Sequence, residues 1–265
     1  MTHRTPVLLG LGYDASASFL RGAALAPPAI RKSLYSPASN GWSESGIDVL
    51  EALTDNGDLD LPGTPEAREM IEHAVDEIVA RGERPVLLGG DHSVTYGIVR
   101  GLTRHVRDVT VVQIDAHPDL YDVFDGDRFS HACQFARIME EGLVRRLCQV
   151  GIRTFTGHQR DQATRFGVEV VDMPRWSRGD RLMVSGPIYL SIDLDGIDPA
   201  FAPGVSHPEP GGLTVREVLE LIRGLGGPVI GADIVELNPH CDVNDRTAGV
   251  AAKLVKEVTA RIMET

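Results

Sequence analysis

The feature that most constrains this chain is a cluster of acidic and imidazole side chains directly after a buried strand. Residues 109–114 are mostly apolar and β-branched, which predicts a strand. Asp115, His117 and Asp119 follow in alternation, so an extended backbone points them to the same face. Such crowded side chains repel one another and lose hydration unless a cation compensates their charge. A single segment of this kind also fits a solvated strand end.

Two further segments favour the cation. Asp193 and Asp195 follow the apolar run 187–190, and the strand at 86–88 leads through Gly-Gly to Asp91 and His92. In an open α/β sheet the functional site lies outside the carboxyl ends of the strands, so these segments can converge. The sequence therefore predicts one metal site with six ligands: His92, Asp115, His117, Asp119, Asp193 and Asp195.

The predicted ligands are four carboxylates and two imidazoles, without sulfur. A single divalent ion would leave this set strongly negative, whereas two divalent ions balance the four carboxylates. Mixed oxygen and nitrogen ligands suit Mn²⁺ better than Mg²⁺, and discriminate poorly against Co²⁺, Ni²⁺ or Zn²⁺. Water shared between two such cations becomes a hydroxide nucleophile near neutral pH, so the predicted chemistry is hydrolysis.

Composition narrows the setting. The 265 residues carry a net charge of −12, which argues against nucleic acid and anionic membranes as partners. The three cysteines form no disulfide or zinc pattern, the N-terminus lacks a signal sequence, and no apolar run approaches the roughly 18 residues of a membrane span. We expect a cytoplasmic protein with one domain over residues 1–265.

Predicted strands alternate with predicted helices, which indicates an α/β fold with a mainly parallel sheet and helices on both faces. Residues 36–64 are rich in Gly, Ser, Asn and Asp, and predict an irregular segment that rims the site. A helix is predicted over 214–223, with Thr214 as its cap and Glu217 three residues later.

Four segments together resemble the signature blocks of the ureohydrolases, the family of arginase, agmatinase and formimidoylglutamase. They are Gly-Gly-Asp-His-Ser at 89–93, Asp-Ala-His-Pro-Asp at 115–119, Ser-Ile-Asp-Leu-Asp-Gly-Ile-Asp-Pro at 191–199 and Asp-Ile-Val-Glu-Leu-Asn-Pro at 233–239. Residues 21–31 resemble the family's N-terminal block, so the similarity covers nearly the whole chain. The resemblance implies a three-layer α/β/α fold, two Mn²⁺ per chain, and a homo-trimer or homo-hexamer. It also implies hydrolysis of a guanidino group to urea and an amine by a metal-bridging hydroxide.

The resemblance also assigns the ligands. One metal takes His92, Asp115, Asp119 and Asp193. The other takes His117, Asp115, Asp193 and Asp195, so that Asp115 and Asp193 bridge the two ions. Asp119 is in addition expected to orient the hydroxide by accepting its hydrogen bond.

Three more residues are candidates by resemblance. Glu236 could be an ordinary surface carboxylate, but a carboxylate offers a guanidinium a two-pronged partner, and the block places it as the substrate anchor. His131 could be a loop histidine without a role, but its position matches the family's proton shuttle to the leaving amine. His207 stands where arginases and agmatinases have threonine, and is expected to contact the substrate.

The loop at 120–129 bears on the substrate. Asp122, Asp125 and Asp127 favour a cationic far end, as in agmatine, whereas Arg128 favours a carboxylate. The predicted order is agmatine, then another guanidino acid or formiminoglutamate, then arginine. Two other classes stay open: a single-zinc enzyme like the metal deacetylases, and a non-catalytic metal-binding relative. Metal content discriminates between two Mn²⁺ and one Zn²⁺.

Overall fold

A parallel eight-stranded sheet runs through residues 5–264, the part of the chain that the structure, a computed structural model, describes. The strands are β1 (Pro6–Leu11), β2 (Thr54–Leu59), β3 (Arg84–Leu88), β4 (Thr110–Ile114), β5 (Arg146–Val150), β6 (Glu169–Val171), β7 (Ile188–Asp193) and β8 (Val229–Val235). Their order across the sheet is β2-β1-β3-β8-β7-β4-β5-β6, and every neighbouring pair is parallel. Residues 1–4 and 265 of the predicted domain lie outside the described residues.

Helices cover both faces of the sheet. They are α1 (Ala26–Leu34), α2 (Val49–Ala52), α3 (Ala67–Ala80), α4 (Val94–Thr103), α5 (Gln134–Glu140), α6 (Gly157–Phe166), α7 (Met173–Ser177), α8 (Val215–Gly224) and α9 (Arg246–Met263). Side chains of α1, α8 and α9 form one apolar core with the sheet, and those of α3, α4 and α5 form a second core on the other face. The predicted three-layer α/β/α fold is therefore confirmed.

Local signals place some helix ends correctly. Thr214 accepts a hydrogen bond from the Glu217 N–H at 3.1 Å, and the Glu217 carboxylate accepts one from the Thr214 N–H at 2.8 Å. This reciprocal pair starts α8 as predicted, because it satisfies two backbone donors that the first helical turn leaves free. Within residues 5–264, no helix combines the length and the apolar character needed to cross a bilayer.

The prediction of an irregular segment at 36–64 is wrong in part, since α2 and β2 lie inside it. The sequence of β2, Thr-Asp-Asn-Gly-Asp-Leu, has little strand propensity, and all but its last residue are exposed. It forms a strand because it pairs with β1 at one edge of the sheet.

One loop carboxylate ties this segment to two helices. Glu44 accepts hydrogen bonds from Arg216 at 2.8 and 2.9 Å, and also contacts Arg223 and Lys253. The hydrogen bonds from Arg216, against a smaller effect of burial, lower the pKa of Glu44 to about 2.

We expect Glu44→Gln to lower the free energy of unfolding at pH 7 by about 1 kcal/mol, because the charges are partly screened by solvent. A carboxyl whose pKa is depressed on folding stabilises the protein above its unfolded pKa, and loses this effect as pH falls through the folded value. The difference should therefore shrink between about pH 4.5 and about pH 2. Urea unfolding over this range measures it, and Glu51→Gln, an exposed carboxylate, is the control. A pH-independent difference would contradict the electrostatic explanation.

Candidate metal centre and substrate cavity

The candidate site lies at the carboxyl ends of four adjacent central strands, β3, β8, β7 and β4. His92 follows a Gly-Gly turn that passes very close to the loop after β1. A Cβ atom on Gly90 would lie 1.7 Å from the Tyr13 carbonyl oxygen, so only glycine fits. The Asp91 N–H donates to the same carbonyl at 2.7 Å, which fixes the turn and the histidine that follows it.

One imidazole nitrogen lies at the centre of three carboxylates. The Nδ1 atom of His92 is 3.1 Å from Asp115 Oδ2, 3.1 Å from Asp119 Oδ2 and 3.2 Å from Asp193 Oδ2. All four side chains are buried. The Nδ1 atom has no well-aligned hydrogen bond among the described residues. This arrangement is typical of ligand atoms around a cation rather than of a hydrogen-bonded pair.

The other nitrogen of His92 shows which atom is free to bind a metal. His92 Nε2 is 2.9 Å from Ser191 Oγ, and Ser191 Oγ donates to Asp233 Oδ1 at 2.7 Å. Asp233 also accepts hydrogen bonds from Tyr189 and Thr95. Because Ser191 gives its proton to Asp233, its oxygen accepts from Nε2–H, and Nδ1 faces the carboxylates.

A proton and a metal cation are alternatives at this Nδ1 atom. Burial lowers the pKa of His92, but the three carboxylates of Asp115, Asp119 and Asp193 beside Nδ1 outweigh it and raise the pKa well above its usual range. The centre therefore attracts positive charge strongly. A divalent cation satisfies the same carboxylates, and the residues fit such a group.

A second group of ligand atoms shares Asp115 with the first. His117 Nδ1 is 3.0 Å from Asp195 Oδ2 and 3.6 Å from Asp115 Oδ1. Asp193 lies between the groups, since its Oδ1 accepts a hydrogen bond from the Asp195 N–H at 2.8 Å. Two sets of residues each bring their ligand atoms within 4.8 Å of one another: His92, Asp115 and Asp119 form one set, and Asp115, His117 and Asp195 form the other. The structure brings all six predicted ligands together, and we call them the metal centre.

The carboxylates of the metal centre are costly to bury together. Burial and the charge of Asp115 raise the pKa of Asp119 to about 6. Burial and the charges of Asp195 and Asp115 raise the pKa of Asp193 well above its usual range. For Asp115, burial acts in the same direction, but His117 and His92 outweigh it and lower the pKa. Bound cations would relieve this repulsion.

Two of the predicted functional residues have strained backbones. Asp119 has φ 52° and Glu236 has φ 66°, in the left-handed region that non-glycine residues rarely adopt. Strain of this kind persists where the surroundings hold a residue in place, and it concentrates at functional sites.

Glu236 and His131 form a hydrogen-bonded pair beside the metal centre. Glu236 Oε1 accepts from the His92 N–H at 2.8 Å and lies 2.8 Å from His131 Nδ1. The described residues give Oε2 no hydrogen-bond partner. Glu236 can therefore offer one free oxygen, Oε2, to a substrate. The two-pronged contact predicted from the sequence would need both oxygens to be free.

Ser18 contacts the opposite nitrogen of His131. The Ser18 N–H donates to His131 Nε2 at 3.1 Å, and Ser18 Oγ is 2.7 Å from the same atom. In this geometry the imidazole proton lies on Nδ1. Burial lowers the pKa of His131, but the charge of Glu236 outweighs it and raises the pKa to about 9. A second proton, on Nε2, requires Ser18 Oγ as its acceptor.

A cavity of about 240 Å³ opens above the metal centre. Its lining residues are Ser18, His117, Asp119, Tyr121, Phe124, His131, Ala132, Thr154, Thr156, Gln159, Asp193, Asp195, His207 and Glu236. The His207 ring lies between Phe19, His117 and His131, with ring centroids 5.8, 6.1 and 5.3 Å away. Burial and the charge of His131 lower the pKa of His207, which favours a neutral imidazole on the wall.

The loop at 120–129 borders the cavity with its aromatic residues rather than with its charged ones. Of this loop, Tyr121 and Phe124 line the cavity, whereas the three aspartates and the arginine do not. Asp122 accepts a hydrogen bond from Gln162 at 2.9 Å, and Arg128 pairs with Glu140 at 3.0 Å. Their charges are used to hold the loop in place.

Several lining residues are not predictable from the sequence. Thr156 and Gln159 form a capping box at the start of α6, so their sequence signal is that of a helix end. Ser18 lies in a loop of small residues, 113 positions from the histidine that it contacts. The segment at 154–156 follows β5, and strand order alone could have placed it at the site.

Comparisons with known proteins agree with this geometry. The family model described as "Arginase family" matches residues 4–260. "Arginase 1, mitochondrial" of Arabidopsis thaliana is 44% identical over 275 residues, which cover 96% of this chain and 80% of the relative. "Agmatinase, mitochondrial" of Gallus gallus is 34% identical and covers 94% and 78%. The solved structure "Arginase from Medicago truncatula" has a TM-score of 0.93 at 39% identity and covers 98% and 88%.

Proposed function

The chain belongs to the arginase family, and from this premise we propose that it hydrolyses the guanidino group of a small molecule to urea and an amine. One observation carries the proposal. Two groups of imidazole and carboxylate ligand atoms share Asp115 at one side of a cavity, and Glu236 and His131 line the same cavity. A guanidinium held by Glu236 would lie next to the metal centre.

We propose that the metal centre holds two Mn²⁺ ions, with Asp115 shared between them. Oxygen and nitrogen donors without thiolate support this metal. Bound there, the two cations would lower the pKa of a shared water so that it can attack near neutral pH. The chain supplies the six ligands and a largely buried setting, in which charges interact more strongly than in water.

The neighbouring side chains would act on the substrate. Glu236 Oε2 would accept a hydrogen bond from the guanidinium, since Oε1 is already occupied. Asp119 lines the cavity, and its Oδ1 accepts no hydrogen bond from the described residues, so it would orient the attacking water. His131 would deliver a proton to the leaving amine, which cannot depart as an anion. His207 would contact the substrate as a neutral part of the wall.

We propose arginine as the preferred substrate and agmatine as the second candidate. The sequence predicts agmatine first and arginine last, and that order depends in part on acidic loop residues that do not line the cavity. The lining instead includes neutral groups such as Thr154, Thr156 and Gln159, a residue class that can hydrogen-bond to both an α-carboxylate and an α-amine. The relatives support the same order, with an arginase at 44% and an agmatinase at 34% identity.

Substrate preference is measured by urea release from the Mn²⁺-loaded protein. We expect kcat/KM to be about tenfold or more higher for arginine than for agmatine, the equivalent of one added hydrogen-bonded contact. Guanidinobutyrate and formiminoglutamate, the latter followed by formamide release, complete the screen. Preference for agmatine would overturn the substrate, and hydrolysis of none of the four would overturn the proposed function. One Zn²⁺ per chain with deacetylase activity would identify the other enzyme class.

We also propose that the chain acts in the cytoplasm as a trimer or hexamer. The resemblance to ureohydrolases supports the assembly, and the three cysteines, which are free, are compatible with a reducing compartment. Analytical ultracentrifugation of the purified protein measures the assembly.

A further inference from the structure

Two glutamines form a directed hydrogen-bond chain beneath the metal centre. Gln113 and Gln149 are paired neighbours on β4 and β5, and both are fully buried. Gln149 Nε2 donates to Gln113 Oε1 at 2.6 Å and to the Pro118 carbonyl at 2.7 Å. Gln113 Nε2 donates to Asp115 Oδ2 at 2.6 Å and to the His117 carbonyl at 3.0 Å. The chain of amides therefore ends on the carboxylate that the two ligand groups share.

A third glutamine makes the same contact with a different ligand. Gln134, on α5, is 1% exposed, and its Nε2 donates to Asp119 Oδ2 at 2.6 Å. The Oδ2 atoms that receive the amide protons, on Asp115 and Asp119, are the ones that lie 3.1 Å from His92 Nδ1. The glutamines thus hold the carboxylate oxygens of one ligand group, the group that contains His92.

The orientation of these amides has a cost. Among the described residues, the buried Oε1 atoms of Gln134 and Gln149 have no hydrogen-bond partner. An unpaired buried oxygen is destabilising, and such a group calls for an explanation. A flipped Gln134 would place Oε1 against the Asp119 carboxylate, where the two oxygens would repel. The carboxylates therefore dictate the direction of the amides.

We propose that Gln113, Gln149 and Gln134, the amide cradle, are positioning residues that fix the Asp115 and Asp119 carboxylates for the cation bound by the His92 group. The inference rests on the proposed function, because that function supplies the cation. Removal of a group that holds a metal ligand in place commonly lowers metal affinity ten- to a hundredfold. Gln134 donates to Asp119, which belongs to the His92 group alone, so its loss should weaken one of the two metal sites much more than the other. Gln113 donates to the shared Asp115 and to the His117 carbonyl, so its loss should weaken both sites.

The test is stepwise Mn²⁺ binding by chelator competition, with bound metal counted by mass spectrometry at fixed free Mn²⁺. Gln113→Leu and Gln134→Leu remove the amide at nearly constant volume. We expect Gln134→Leu to raise one dissociation constant about tenfold or more and to change the other less than about twofold. Gln113→Leu should raise both constants, because Gln113 holds the shared Asp115. Gln162→Leu is the matched control: Gln162 is 5% exposed and donates to the Leu120 carbonyl and Asp122, outside the metal centre. Its dissociation constants should equal those of the wild type.

The results distinguish a failure of the amide cradle from a failure of the proposed function. If the wild type binds two Mn²⁺ and the cradle variants bind them with unchanged constants, the cradle is overturned and the proposed function stands. If the wild type binds no Mn²⁺, the proposed function is overturned and the cradle with it. Lower melting temperatures with unchanged constants identify a purely structural role, which also overturns the cradle. Should a leucine variant fail to fold, Gln134→Met gives the same measurement with a flexible side chain.

Discussion

Replacement of Asp193 by asparagine is expected to stabilise the metal-free protein while it destroys metal binding and activity. Asp193 is buried, and burial together with the charges of Asp195 and Asp115 raises the pKa of this carboxyl well above its usual range. An acid whose pKa rises on folding destabilises the folded state as pH climbs above its unfolded pKa of about 3.9. Asparagine is neutral at every pH, so the metal-free variant should melt a few degrees higher at pH 7, at about 2–4 °C per kcal/mol.

In the presence of Mn²⁺, Asp193→Asn should instead be less stable and less active than the wild type. Asp193 Oδ2 is 3.2 Å from His92 Nδ1, so the variant loses a charged ligand from the centre of the site. The stabilisation that Mn²⁺ gives the wild type should largely disappear, because binding to the folded state alone is what raises its stability. Activity should fall by about 10³-fold or more, since bound metal supplies several kcal/mol to the transition state. Differential scanning calorimetry with and without Mn²⁺, metal analysis and urea release measure the three effects.

Asp180→Asn is the control for a carboxylate outside the site, because Asp180 pairs with Arg175 on the surface. It should leave metal content and turnover unchanged. Two bound Mn²⁺ and full activity in Asp193→Asn would remove Asp193 from the metal centre. A metal-free variant that melts below the wild type would show that Asp193 makes a net stabilising contact there, and would contradict the repulsion inferred above.

The sequence predicts the metal ligands well for a physical reason. Asp115, His117 and Asp119 follow one apolar run closely and Asp193 and Asp195 another, so nearness in sequence already groups them. The extended backbone predicted for residues 115–119 is not observed, because β4 ends at Ile114 and Asp119 has φ 52°. Parallel strands then bring their carboxyl ends to one edge of the sheet. Both steps depend on short-range patterns, which a single sequence displays.

Other features depend on partners that are distant in the chain. The strand β2 forms because it pairs with β1, although its own residues are polar. Ser18 is placed by its contact with His131, and nothing in the neighbouring sequence indicates that contact. Gln113 lies within an apolar strand, and its role appears only when β5 places Gln149 beside it. Tertiary contacts of this kind leave no local periodicity to detect.

His131 is the residue whose replacement should separate catalysis from metal binding. Its Nδ1 is 2.8 Å from Glu236 Oε1 and its Nε2 contacts Ser18, so neither nitrogen belongs to the metal centre. His131 lines the cavity, where a leaving amine would need a proton. Its pKa of about 9 keeps a proton available near neutral pH.

We expect His131→Ala to keep two Mn²⁺ and to lower kcat by about 10²–10⁴-fold, the usual contribution of a general acid. His131→Asn should be slow as well, because asparagine can donate to Glu236 but cannot deliver a proton at neutral pH. His105→Ala, at a histidine that pairs with Asp76 on the surface, is the control. Recovery of turnover in His131→Asn alone would mean that the imidazole merely orients Glu236. Unchanged kcat in both variants would remove His131 from the reaction.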